Sequence, residues 1–221
     1  VTRAIADDGS EAGPAAVAAG QAVVDSAASL PATESDQPSA EVAGTRGSAD
    51  LPIPLDITDT TFGDNAEITN ASPGPGSRTF CGNVPDTTGL IDWNSRVIST
   101  DRGLRTLFQI VSRFETPDQA EAYLDAYAST NDCVSWTAPG DDAGEVVYTA
   151  QPVAAPVVGD DARRFDITGQ IGTTVGSHAS VVLIRSGADV LALSLSSVTE
   201  AQVTEIDSLA ALAAERLGYA N

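Results

Sequence analysis

The sequence predicts an α+β domain with a mostly antiparallel sheet, two main helices and one disulfide, preceded by a disordered spacer. Three observations lead to this fold class. Short segments of alternating polar and apolar residues indicate strands, two segments with helical periodicity indicate helices, and their order along the chain is strands, helix, strands, helix. We assign residues 1–50 to the spacer and residues 51–221 to the folded domain.

The spacer is identified by its composition, which is rich in Ala, Gly, Ser, Pro, Asp and Glu, as in "PATESDQPSAEVAGTRGSAD". Such a segment buries too little apolar surface to offset the entropy lost on ordering it. The first apolar cluster, "LPIPLDITDTTF", begins at Leu51. A spacer before an exported domain suggests an upstream anchor, a membrane helix or a lipidated cysteine, as the only link to a membrane.

The charge excludes one class of partner. The formal net charge is -20, and all 11 basic residues are arginines. Nucleic acid is excluded as a partner because its binding requires a basic surface that displaces counterions from phosphate. The acidity is explained by solubility and mutual repulsion between copies.

Two helices are predicted from their start and stop signals. The first begins at Thr116, an N-cap whose capping-box partner is Gln119, and runs to about residue 130. The second begins at Thr199, with Gln202 as its partner, and stops at Gly218. Strands are predicted at residues 96–100, 104–114, 145–151, 163–171, 177–186 and 189–197, and a turn at 138–144.

The two cysteines, Cys81 and Cys133, are predicted to form a disulfide. Their even number, the spacer-like N-terminal segment and the absence of CxxC spacing favour this interpretation over two free thiols, which remain the alternative. A disulfide would tie the irregular segment "ASPGPGSRTFCGNVP" to the end of the first helix. It would also place the protein outside the cytoplasm.

Several motifs together resemble a known family. "FCGNVP", then "LRTLFQIVSRFETPDQAEAYLDAYASTNDCVSW", then "VVLIRSGADVLALSLSS" and an alanine-rich final helix are similar to the PknH-type extracellular sensor domain of actinobacteria. The resemblance covers residues 51–218. It implies an antiparallel sheet with helices and an open cleft, in a kinase ectodomain or a cell-envelope lipoprotein that binds an unidentified ligand. Family members often carry two disulfides, whereas this chain has cysteines for one.

The usual signatures of catalysis, metal binding and cofactor binding are missing from the sequence. His178 is the only histidine, which leaves too few ligands for a zinc site and no motif context for a Ser–His–Asp triad. "GQIGTTVG" fits neither a dinucleotide fingerprint nor a phosphate-binding loop. We therefore expect no catalytic residue, no metal and no cofactor.

A polar sheet face is the predicted ligand site. Arginines in so acidic a chain are candidate anchors for an anionic ligand. An ordinary solvated sheet face is the alternative interpretation. The candidate ligand-binding residues are Arg105, Gln109, Arg113, Ser194 and Ser196, with Thr168 and Gln170 on the same face.

We therefore expect a non-enzymatic extracytoplasmic sensor or ligand-binding module, tethered to the cell envelope, whose partner is a small-molecule or cell-wall ligand. Two hypotheses from other classes remain. One is a secreted hydrolase with an unrecognised carboxylate pair. The other is a carrier for a lipid or another apolar envelope molecule.

Overall fold

The computed structural model describes residues 51–63, 65–69, 74–75, 85–100, 104–128, 134–140 and 144–219. Residues 1–50, Cys81 and Cys133 lie outside this part of the chain, so the spacer and the disulfide stay predictions. The described fold is α+β: one eight-stranded antiparallel sheet with two α-helices, as predicted.

The sheet has the strand order β1-β2-β3-β8-β7-β6-β5-β4. After β3 the chain passes through the first helix to the far edge of the sheet, and β4 to β8 then return as a meander that ends beside β3. The strands are β1 (Glu67–Thr69), β2 (Leu90–Ser99), β3 (Arg105–Phe114), β4 (Ser135–Gly140), β5 (Gly144–Val153), β6 (Asp161–Ile171), β7 (Thr174–Ser186) and β8 (Asp189–Ser197).

The first helix, α1 (Pro117–Ala128), has the predicted start. Thr116 and Gln119 form the capping box, since the Gln119 N–H donates to the Thr116 hydroxyl and the Thr116 N–H donates to the Gln119 amide oxygen. The apolar stripe of α1, which includes Tyr123 and Leu124, packs on the sheet with Phe108 and its neighbours. We call this side of the sheet the α1 face.

The second helix, α2 (Ile206–Leu217), begins later than predicted. A short 3-10 helix (Glu200–Val203) precedes it, and the Thr199 side chain makes no capping hydrogen bond. Gly218 ends the helix with a φ of 73°, as predicted, because glycine adopts this left-handed conformation without strain. The apolar stripe of α2 packs on the side of the sheet opposite α1, which we call the α2 face.

Both helices cover the centre of the sheet, from opposite sides. Leu107, Leu191, Leu193 and Leu195 lie on the α2 face, while Phe108 and its neighbours lie on the α1 face. Neither face of the sheet is therefore left open at its centre by the described helices. Strand β4 begins at Ser135, before the turn predicted at 138–144, and runs into it, which adds an edge strand that was not predicted.

A substitution at Gly159 measures how closely the segment between β5 and β6 packs against its neighbours. Its φ is 66°, its N–H donates to the Tyr219 carbonyl, and a Cβ there would lie 2.5 Å from the Arg185 carbonyl oxygen. Gly159→Ala should lower the free energy of unfolding by about 2–3 kcal/mol, through backbone strain and a steric clash. Gly187→Ala is the control, since φ is 56° but a Cβ would meet nothing within 4 Å.

Urea denaturation measures both variants. The control should lose only about 1 kcal/mol, the cost of the left-handed conformation. Equal losses for the two variants would show that the clash at residue 159 is relieved at no cost.

Candidate functional site

The five predicted ligand-binding residues do not share one sheet face. Residues directly opposite each other on paired strands point to the same side of a sheet. Gln109 lies opposite Leu193, on the α2 face, whereas Ser194 lies opposite Phe108 and Ser196 opposite Thr106, on the α1 face. The grouping of the two serines with the β3 residues is therefore wrong. Alternation along each strand was read correctly, but the register between β3 and β8 was not available from the sequence.

The Gln109 side chain contacts the protein's own backbone. Its side chain has no exposed surface, and its amide makes two hydrogen bonds with the backbone of Leu55. The Gln109 Nε2 donates to the Leu55 carbonyl over 2.8 Å, and the Leu55 N–H donates to the Gln109 Oε1 over 3.1 Å. Gln109 thus binds the backbone of residue 55 as a neighbouring strand would.

Arg105 is also buried, and its side chain also contacts other residues of the same chain. Its guanidinium donates to the Thr61 hydroxyl, forms an ion pair with Glu205, and lies 4.6 Å from the centre of the Phe62 ring. Burial lowers the pKa of Arg105, and the Glu205 carboxylate opposes that change. Arg105 was predicted to anchor an anionic ligand, but its anionic partner in the structure is a carboxylate of the same chain, at the residue before α2.

Residues 51–62, which we call the N-terminal arm, account for these contacts. The arm lies on the α2 face over β2 and β3. The Asn94 side chain donates to the Leu51 carbonyl, and Arg216 donates to the Pro54 carbonyl and binds the Asp59 carboxylate with both terminal nitrogens. The N-terminal arm therefore covers two of the three polar β3 residues predicted to share this face, Arg105 and Gln109.

Arg113 is the one predicted arginine with a substantially exposed side chain. It forms a two-point ion pair with Asp189, at distances of 2.8 Å. The pKa of Arg113 is raised, chiefly by its hydrogen bonds to Asp189. Burial, together with the Asp189 carboxylate, raises the pKa of the nearby Tyr219 phenol. Arg113 therefore lies at the rim of the sheet, where it is bound by Asp189, the first residue of β8.

The uncovered part of the α2 face lies at the other end of the sheet, on β4 to β7. One row of cross-strand neighbours runs from Ser135 through Thr149 and Thr168 to His178. We call the surface around this row the neutral face, because none of its side chains is formally charged at pH 7. Its residues are Ser135, Thr137, Val147, Thr149, Gln151, Thr168, Gln170, Val175 and His178.

The neutral face is accessible to solvent. Two of its valines are unusually exposed for apolar residues, Val147 at 41% and Val175 at 43%. Its centre consists of hydroxyl and amide groups, each able to donate and to accept a hydrogen bond. Among the described residues of β4 to β7, the carboxylates on this side of the sheet, Glu145 and Asp166, lie at the borders of the neutral face, although the chain carries 31 acidic residues. The lack of charge on this face therefore contrasts with the rest of the chain.

Thr168 and Gln170 were predicted from the sequence to lie on a ligand-binding face, whereas their neighbours on the neutral face were not predicted. Thr149 and Val147 lie on β5, whose alternation with the buried Val146 and Tyr148 was a readable signal. Ser135 was missed because β4 was not predicted. The stacked Trp136 and Tyr148 rings lie on the opposite side of these strands, since a strand alternates its side chains.

In the described part of the chain, no three His, Cys, Asp or Glu residues are grouped closely enough to hold a metal ion. No helix among the described residues is long and apolar enough to cross a membrane. Asp166, at the border of the neutral face, is already bound by the Ser180 hydroxyl and by Arg164.

One solved structure similar to this chain is the crystal structure of the extracellular domain of PknH from Mycobacterium tuberculosis. The TM-score is 0.47 and the sequence identity is 18%, over 59% of this chain and 66% of that chain, just under two thirds of its length. No protein-family model matches the chain, and no curated protein matches its sequence. The similarity is one of fold and carries no information about a ligand.

Proposed function

We propose that this chain is a non-enzymatic extracytoplasmic sensor or ligand-binding module, tethered to the cell envelope, and that its ligand is an uncharged, hydroxyl-rich cell-wall molecule. The observation that carries the proposal is the neutral face, an exposed and uncharged surface in a chain of net charge -20. The sequence motifs shared with PknH-type sensor domains and the expected disulfide support the location.

The chemistry of the neutral face selects the ligand class. Thr149, Thr168 and Gln170 present hydroxyl and amide groups that match the alternating donors and acceptors of a sugar. The two exposed valines add apolar contact without charge. An anionic ligand would find no cation on this surface and would be repelled by the chain as a whole. This replaces the anionic ligand expected from Arg105 and Arg113, because both arginines bind carboxylates of the chain itself.

The size of the neutral face favours a small ligand over a protein partner. Nine residues form the surface, whereas a standard protein interface uses roughly 20–30 residues on each side. A short oligosaccharide is therefore a better fit than a second copy of the chain.

Binding of a neutral glycan is the direct test. Titration of the ¹⁵N-labelled protein with an N-acetylglucosamine oligosaccharide should shift the amide signals of β5 and β6, with a Kd of roughly micromolar to millimolar. Thr149→Asp should weaken binding at least about tenfold, because an unpaired carboxylate would be desolvated at the centre of the neutral face. Thr204→Asp, which adds the same charge at an exposed position before α2, should leave the Kd unchanged.

Three outcomes would overturn the proposal. The first is no binding of any neutral glycan, and the second is equal weakening by the two variants. The third is tighter binding of an anionic probe such as inositol hexakisphosphate. Turnover of the oligosaccharide would favour the hydrolase hypothesis instead.

A further inference from the structure

Within the described part of the chain, the contacts that join the N-terminal arm to the rest of the domain come from residues far away in the sequence. Leu55 binds Gln109, 54 positions away, while Thr61 binds Arg105, 44 positions away. Asp59 binds Arg216, 157 positions away. Buried apolar side chains, including Leu51 and Leu55, anchor the arm between these polar contacts. A second chain that presents the same segment would satisfy every one of these contacts.

The surface beneath the arm recognises an extended backbone. Side chains of β2, β3 and α2 donate to the carbonyl groups of Leu51, Pro54 and Leu55. The prolines of "LPIPL" fix φ and hold this stretch extended, so binding it costs little conformational entropy. This combination, with backbone hydrogen bonds and two buried leucines, is typical of a peptide-binding groove.

The connection that follows the arm is able to act as a hinge. Gly63 has a φ of 80°, and a Cβ at this position would meet nothing within 4 Å. Among the described residues of this turn, the Ala66 N–H donates a backbone hydrogen bond to the Gly63 carbonyl, at 3.3 Å. Opening the turn breaks this bond, and an extended connection at residue 63 would no longer need a positive φ.

We infer that the N-terminal arm exchanges between two copies of the chain, so that the arm of each copy occupies the groove of its partner. The exchanged dimer keeps every contact of the arm and changes only the hinge, which is the condition for low-cost exchange of an element. The groove lies over β2 and β3 and the neutral face over β4 to β7. The inference is therefore independent of the proposed ligand.

A hinge variant tests the exchange in the full chain. Gly63→Ala strains the closed turn, which needs a positive φ, and leaves the extended hinge unstrained. After refolding at high concentration in about 0.3 M salt, which screens the net charge, its dimer dissociation constant should be roughly thirtyfold below wild type, because the strain is relieved in both copies. Gly172→Ala is the matched control, with a φ of 59° and open space around the Cβ. It should leave the dissociation constant at the wild-type value.

A complementation experiment shows whether the arm is the exchanged element. Leu55→Ala weakens the arm, and Gln109→Leu weakens the groove. In a mixed dimer one arm–groove contact is intact and the other carries both substitutions. Leu55 and Gln109 touch, so the two losses are less than additive in that one contact. A co-refolded mixture of the two variants, distinguished by mass tags, should therefore contain more mixed dimers than random pairing gives. Native mass spectrometry measures the ratio.

The inference is overturned if Gly63→Ala remains monomeric at every concentration measured, or if it dimerises no more than Gly172→Ala. Random pairing in the mixture, with both variants folded by circular dichroism, would show that the dimer forms elsewhere. If either weakened variant fails to fold, the comparison of the two glycine variants decides the matter.

Discussion

Replacing Leu193 by alanine should lower the free energy of unfolding by about 3–5 kcal/mol, the largest effect expected for any single change discussed for this protein. Leu193 lies on β8 at the centre of the sheet, has no exposed surface, and belongs to the apolar cluster beneath α2. Its cross-strand neighbours are Gln109 and Val182, both held in paired strands. Because those strands are fixed on both sides, we expect the cavity to remain open instead of collapsing.

Urea denaturation followed by circular dichroism measures this loss. Leu104→Ala is the matched control, because it removes the same leucine side chain at a position just before β3 that is 36% exposed. The control should change the free energy of unfolding by less than about 1 kcal/mol. A loss below about 1.5 kcal/mol at Leu193 would contradict the position of β8 between β3 and β7.

Gln109→Leu should lower the free energy of unfolding by about 2–4 kcal/mol, the second largest effect. The substitution removes two hydrogen bonds. It leaves the buried N–H and the buried carbonyl of Leu55 without the Gln109 side-chain amide as their partner. Arg96 still reaches the Leu55 carbonyl, at 3.4 Å, which limits the loss on the acceptor side. Because the pair holds the N-terminal arm, hydrogen exchange of the arm should rise before global unfolding.

Gln151→Leu makes the same chemical change at an exposed position of β5 and should cost less than about 0.5 kcal/mol. Hydrogen exchange measured by mass spectrometry should show faster exchange over residues 51–62 in Gln109→Leu only. Unchanged protection of the arm in Gln109→Leu would mean that Asn94, Arg216 and the buried leucines hold it without the amide.

The elements with strong local signals were predictable from sequence. The α1 capping box, the leucine alternation of β8 and the stop of α2 at Gly218 each follow from residues within one turn or one strand. The 3-10 helix before α2 and strand β4 were missed, because their local patterns are short and compete with turn chemistry.

The candidate site was predictable only in part. Polar residues of β3 were correctly placed on one side of that strand, because side chains alternate with a period of two. Their grouping with Ser194 depended on the register between β3 and β8, where a shift of one residue reverses the face. The role of Gln109 depended on the N-terminal arm, because its partner Leu55 lies 54 positions away along the chain.

The sequence by itself determined the α+β class, the net charge of -20 and most helix and strand positions, since these depend on composition and on local periodicity. Only the tertiary structure decided that α1 and α2 cover opposite faces, that the N-terminal arm covers Arg105 and Gln109 of β3, and that the neutral face is exposed. The physical reason is that strand order, register and coverage follow from which distant apolar surfaces and hydrogen-bonding groups meet. Which arrangement forms depends on the relative free energies of competing folds of the whole chain, and no short segment determines these energies.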